Sequence, residues 1–317
     1  MVLVAYNAVT QRLTTTVTSS GFHQLSSSSG VFTKSNSPQS PPRLRTCENG
    51  LKYIHYVPPS NAQPKGLVVI AAGGQGNMGP GSSGNQFSPA NQCVFSVLAR
   101  RLSEEGLAVC HLTWRNPSRP SLSTRSPQRV RECACDIHSA VGALRVAHDR
   151  REAIGLPLVL LAHGAEAGAG AMAAAAMHVE RTRKGFDLGP FAGVISLAPG
   201  LRVSDEKHDY GTCDTLGCLR SLASVRAPIM LIHGHEDKTS EVQSTSLIFA
   251  SARGPKAAVI LQNCDHGMAS RFDDVLTLLL FWVPGLLARY GVVGDSGGQL
   301  VSDEADARLG LGQFVHM

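Results

Sequence analysis

Between Ser139 and Ser196 the chain contains no serine and no cysteine. The gap matters because of what lies inside it. Leu156 to Met172 reads as a buried strand, a tight turn of small residues and then a helix. A sharp turn of that kind can hold a nucleophilic side chain above a sheet, yet no small change of register supplies a hydroxyl or thiol here. Acidic residues are missing elsewhere: Met1 to Cys47 has Arg12, Lys34, Arg43 and Arg45 but no Asp or Glu. The rest of the chain then carries 25 basic against 24 acidic residues, so the net charge of +5 gives no electrostatic case for binding nucleic acid. None of the eight cysteines (Cys47, Cys93, Cys110, Cys133, Cys135, Cys213, Cys218 and Cys264) forms a C-x-x-C pair, which argues against a finger-type zinc site. Cys213 and Cys218 flank a loop and could bridge; reduced thiols in an intracellular compartment are the preferred reading. The longest apolar run, Val275 to Leu287, is interrupted by Thr277 and broken by Pro284 and Gly285. It falls short of the ~20 residues of a membrane span, so a soluble protein is expected.

What is present divides into three parts. Residues 1–42 are rich in Ser and Thr and free of acids. They read either as a transit peptide for a mitochondrion or plastid or as a disordered tail without an address, in which case the protein is cytoplasmic. Residues 43–290 read as one domain, and 317 residues are enough for a single large core. Residues 291–317 form a Gly-rich tail to which no function is assigned.

Within the domain, Asn49-Gly50 predicts a hairpin between Arg43–Cys47 and Leu51–Val57. An alternation follows. Leu67–Ala72, Leu107–Leu112, Leu158–Ala162, Phe191–Leu197, Ile229–His233 and Ala257–Leu261 are short apolar runs, expected as strands. Helices are expected from Ser88-Pro89, from Ser126-Pro127, over 165–178, over 240–252 and from Ser270. The fold class predicted is α/β: a mostly parallel sheet, helices on both faces and an antiparallel N-terminal hairpin. A polar insert at about 200–227, with a short helix near Leu216–Val225, suits a small cap over the C-terminal sheet edge.

In open α/β sheets the active groups gather where strands end. The strand Ile229–His233 runs into Gly234-His235-Glu236-Asp237, and Val259–Leu261 into Gln262-Asn263-Cys264-Asp265-His266-Gly267. One loop presents an acid and the next a histidine. A carboxylate holding one imidazole nitrogen leaves the other competent as a base.

With these motifs in order, about Arg43 to Tyr290 resembles an α/β-hydrolase of the small-capped kind, dienelactone-hydrolase-like or serine-aminopeptidase-like. The resemblance implies that Asp237 is the triad acid and His266 the triad base. It places Gly73 and Gly74, together with Ala165, at the oxyanion hole. At the turn two registers stay open. Matching the strand and His163 puts Gly164 at the nucleophile position, and strand length favours this one. Matching the glycines gives Gly164-Ala165-Glu166-Ala167-Gly168, with Glu166 there instead. Glu166 also reads as a first-turn acid favoured by the helix dipole.

Two other motifs are set aside. Gly74-Gln75-Gly76-Asn77-Met78-Gly79 matches G-x-G-x-x-G, but Pro80-Gly81 cannot promptly open the helix that a dinucleotide needs. His163, His233, His235 and His266 lie on three loops with no i, i+4 pair, so no metal and no cofactor are expected. The expected function is a hydrolase-fold protein without the nucleophilic serine, catalytically impaired and serving as a scaffold, assembly or binding protein. The alternative is an active hydrolase or lyase on a small ester or thioester, using Asp237–His266 with water or Glu166. A receptor for an ester-like ligand is the third class, and a protein partner suits the first.

Overall fold

A computed structural model describes residues 3–7, 12–16, 41–59, 63–72, 94–113, 127–148, 153, 155–200, 227–252, 254–291 and 314–316. Two short strands, β1 (Leu3–Asn7) and β2 (Arg12–Thr16), pair antiparallel as a sheet of their own. The main sheet among the described residues has nine strands. They are β3 (Arg43–Thr46), β4 (Lys52–Tyr56), β5 (Leu67–Ala72), β6 (Ala108–Thr113), β7 (Leu158–His163), β8 (Phe191–Leu197), β9 (Ile229–Gly234), β10 (Lys256–Leu261) and β11 (Phe314–His316). Their spatial order is β11-β10-β9-β8-β7-β5-β6-β4-β3. All neighbours run parallel except β3 with β4 and β4 with β6. The sheet is thus mostly parallel with an antiparallel N-terminal pair, the class expected from the sequence.

The hairpin turns at Asn49-Gly50 for a local reason. Gly50 takes φ +81°, and the Asn49 side-chain oxygen accepts the Leu51 amide at 3.1 Å. Strands β5, β7, β8 and β9 are buried along their whole length, which is why they read as unbroken apolar runs. Helices α1 (Val94–Glu104) and α5 (Phe272–Gly291) cover one face. There Phe95, Leu98 and Leu102 meet Val275, Leu279, Val283 and Leu286 over Val68, Ile70 and Leu161. Helices α2 (Pro127–Ala147), α3 (Ala165–Arg183) and α4 (Val242–Ser251) cover the other. That face buries Ile137, Val141, Leu144, Met172 and Ile248 against Val69, Leu160, Val194 and Leu231.

Some bounds differ from those expected. α3 continues to Arg183 rather than stopping at 178, and α4 begins at Val242. α5 follows a 3-10 turn, Ala269–Arg271, and runs through Pro284 to Gly291. β1, β2 and β11 fall in stretches given no strand from the sequence. At five and three residues they are too short for periodicity to register. The expected helix start at Ser88 and the short helix in the cap insert lie outside the described residues.

The abundance of Ala and Gly in α3 has a packing cause. A Cβ added at Gly170 would lie 2.6 Å from Cys133 Cβ on α2, and one at Gly168 would lie 2.7 Å from Ser196 Oγ. The two helices approach too closely for a larger residue. Gly170→Val is therefore expected to cost about 2–3 kcal/mol by overpacking, read from the urea midpoint. An unchanged midpoint would contradict this packing account.

Candidate active site

The three loops at the C-terminal sheet edge are drawn together by backbone bonds. At the end of β7, Gly164 adopts φ +87° and ψ 167°, a region essentially reserved for glycine. Its amide is held by the Leu197 carbonyl at 2.9 Å, and α3 starts at the next residue. Gly200, just beyond β8, leaves no room for a Cβ against Ala165, so the backbone after β8 packs directly on the start of α3. The loops after β9 and β10 are laced to each other: His235 N donates to Leu261 O at 2.8 Å, and Glu236 N to Cys264 O at 2.9 Å. Gly234 permits this, since a Cβ there would collide with the Cys264 carbonyl.

That lacing brings Asp237 to His266. His266 Nδ1–H donates to Asp237 Oδ2 at 2.8 Å. Asp237 Oδ1 accepts the amides of Thr239 at 2.7 Å and Ser240 at 2.8 Å. A second imidazole shares Oδ2: His233 Nε2 lies 3.1 Å from it. Burial alone would push the Asp237 carboxyl up, but the hydrogen bonds from His233, His266, Ser240 and Thr239 prevail and hold it well below the usual range. It is a fixed anion at any ordinary pH.

The loop carrying His266 is bent on both sides. Asn263 has φ +52° and Met268 φ +56°, both left-handed. The bend is secured by Ser270 Oγ on Asn263 O and Arg271 Nη1 on Gln262 O, both at 2.8 Å. From below, His163 Nε2–H donates to the His266 carbonyl at 2.8 Å, and the two rings lie 4.8 Å apart. Burial lowers the His163 pKa to about 4, so its ring stays neutral and its Nε2 proton is committed to that carbonyl.

The free face of His266 looks at the turn. A Cβ built on Gly164 lies 4.0 Å from His266 Nε2. Among the described residues, Nε2 has no hydrogen-bond partner, hydroxyl or thiol. Ser196 Oγ is fully buried beneath α3 and faces Gly168. Cys264 Sγ donates to the Asp265 carbonyl at 3.7 Å, and burial raises its thiol pKa to about 11. Glu166 is half-buried two residues into α3, beyond the turn. Gly73 and Gly74, the glycine-rich run after them, and Cys213 and Cys218 lie outside the described residues.

Several solved structures have similar backbones. A dienelactone hydrolase from Anabaena variabilis superposes with a TM-score of 0.53 at 20% identity, covering 78% of this chain and 100% of its own. An α/β serine hydrolase without a lid from Xanthomonas campestris gives 0.51 at 17%, covering 79% and 98%. The chain has the α/β-hydrolase fold. Est1E from Butyrivibrio proteoclasticus with bound ferulic acid, another such fold, gives 0.52 at 13%, covering 78% and 99%. No family model matches the sequence, and no curated protein matches it either. Among the described residues no helix is long and apolar enough to cross a membrane, and no three His, Cys, Asp or Glu side chains cluster as a metal cage.

Sequence reading passed over two contributors to the site. In the sequence His233 reads as a candidate metal ligand and as the first residue of the His-Gly-x-x-Asp run that ends on Asp237, with no contact to the carboxylate implied. His163 serves there to align the turn and as a candidate metal ligand, with no role beneath His266. The available signal in each case was a histidine inside an otherwise apolar strand.

Proposed function

We propose that this hydrolase-fold protein binds an ester-like ligand without forming an acyl-enzyme, with glycine at the place of the nucleophile. Asp237 and His266 are the retained acid and base. The carrying observation is the 4.0 Å between His266 Nε2 and the Cβ position of Gly164. A serine at that residue would put its oxygen against the imidazole; the glycine puts nothing there. Covalent catalysis is then lost, and what remains is binding and proton handling. A scaffold or assembly role follows most simply, with the site as the surface a ligand or protein partner recognises.

The second reading, direct attack by water with His266 as base, rests on the intact 2.8 Å bond between His266 and Asp237. Glu166 would be its other candidate partner. Steady-state release of p-nitrophenol from short p-nitrophenyl esters separates the two. On the first reading the protein matches His266→Ala, and Gly164→Ser or Gly164→Cys gains turnover. On the second, the protein as it stands is active and His266→Ala loses about 10²–10⁴-fold. Gly164→Ser carries about 1–3 kcal/mol of backbone strain at this φ and ψ, so its fold is checked by circular dichroism first.

A further inference from the structure

His233 is fully buried, and every polar atom around it constrains where its proton sits. Its Nε2 faces two oxygens that can only accept, Asp237 Oδ2 at 3.1 Å and the Ser240 carbonyl at 3.1 Å. Its Nδ1 faces the hydroxyl of Thr245, itself fully buried on α4, at 2.6 Å. An ionised carboxylate accepts and cannot donate, whereas a threonine hydroxyl does either. The neutral-ring arrangement that satisfies all of them has Thr245 O–H donating to Nδ1 and the His233 Nε2–H shared between the Ser240 carbonyl and Asp237 Oδ2. Asp237 then has every acceptor direction used: Oδ1 by two backbone amides, Oδ2 by two imidazoles.

We propose that Thr245 and His233 are positioning residues for this site. Thr245 fixes the tautomer of His233, His233 holds the Asp237 carboxylate in plane, and Asp237 in turn aims His266 Nε2 at Gly164. Neither residue touches a ligand. A structural role alone would require only that the pocket be filled, and an apolar pair would fill it without burying three polar groups. The geometry instead sets a directed chain of donors that ends on the imidazole facing the turn. This deepens the reading of Asp237–His266 as an acid–base pair, and it makes a claim about proton positions that holds whether or not the protein turns over any ester.

The test is histidine 15N NMR on the full chain, with Thr245→Val and Thr245→Ser beside it. In the unaltered protein His233 is expected as the Nε2–H tautomer, with a bare Nδ1 facing Thr245. Thr245→Val, which keeps shape and drops the hydroxyl, is expected to speed exchange of the His266 Nδ1–H with water by about tenfold, the size of one ordinary hydrogen bond. Thr245→Ser restores it to within about twofold. A Nδ1–H tautomer or a charged ring at His233 in the unaltered protein would overturn the proposal without any variant. So would a folded Thr245→Val whose His266 proton exchanges at the original rate. Ester turnover enters nowhere, so failure of the functional reading leaves these outcomes unaffected.

Discussion

Between pH 7 and pH 5 the protein is expected to lose about 4 kcal/mol of stability, at roughly 3 kcal/mol per pH unit through the steepest part. Burial lowers the pKa of His163 to about 4 and, with the neighbouring His148 and arginines, that of His55 to about 4 as well. Both are at most 2% exposed. In the unfolded chain a histidine titrates near 6.5. The folded pKa is depressed, so the stability these rings contribute is fully present above about pH 6.5. It is lost as pH falls toward 4, because the unfolded state takes up protons that the native state refuses. Two such protons give the slope quoted, at about 1.4 kcal/mol per unit each. Burial also lowers His138 to about 4, which steepens the same window. Set against a typical total of about 5–15 kcal/mol, this loss leaves a domain at the low end of that range marginal near pH 5. Urea titrations at pH 7, 6 and 5 measure it. His163→Gln, which keeps a donor for the His266 carbonyl and cannot titrate, is expected to flatten the slope by about one proton. A slope unchanged from pH 7 to 5 would show that these rings are hydrated or paired in the native state. Asp237 contributes nothing in this window. Its folded pKa is depressed as well, but its contribution is present above about pH 4 and is lost only as pH falls below that.

Asp237→Ala is expected to cost about 2–4 kcal/mol at pH 7. The substitution removes the acceptor of His266, one of two acceptors of His233, and the acceptor of the Thr239 and Ser240 amides. Each buried donor left unpaired costs about 1–3 kcal/mol, but His233 keeps the Ser240 carbonyl and the Thr239 amide is exposed to water, so the sum stays below the maximum. Chemical denaturation gives the number, and a loss under about 1 kcal/mol would mean that the loop after β9 rearranges to water. Asp237→Asn separates charge from shape. Its amide can still serve the two backbone donors, yet it turns an N–H₂ toward one imidazole or the other.

Much of this architecture is legible in the sequence because its signals are physical and local. Leu67–Ala72 and Ile229–His233 are unbroken apolar runs because both faces of a central parallel strand are covered. Asn49-Gly50 reads as a turn because its backbone needs a left-handed residue. Asp237 and His266 stand out because each is a titratable residue just past a strand end. The contacts that assemble the site are less legible. Nothing local in His233 says that its ring turns back to a carboxylate four residues on, and nothing in Thr245 says that its hydroxyl leaves its own helix to meet that ring. Those depend on how α4 packs on β9. Gly164 was readable only as an absence, and its meaning depends on which side chain stands opposite, which took the fold to supply. The strand β11 lies far along the chain from its partner β10, and a three-residue pairing carries no pattern of its own.

The proposal that glycine has replaced the nucleophile is tested most directly by intact-protein mass spectrometry after exposure to a serine-reactive fluorophosphonate, with p-nitrophenyl acetate release followed from the first turnover. The account predicts an unmodified mass and a release trace with no burst. A one-to-one adduct that disappears in His266→Ala would contradict it, and mapping that adduct would identify the residue that attacks.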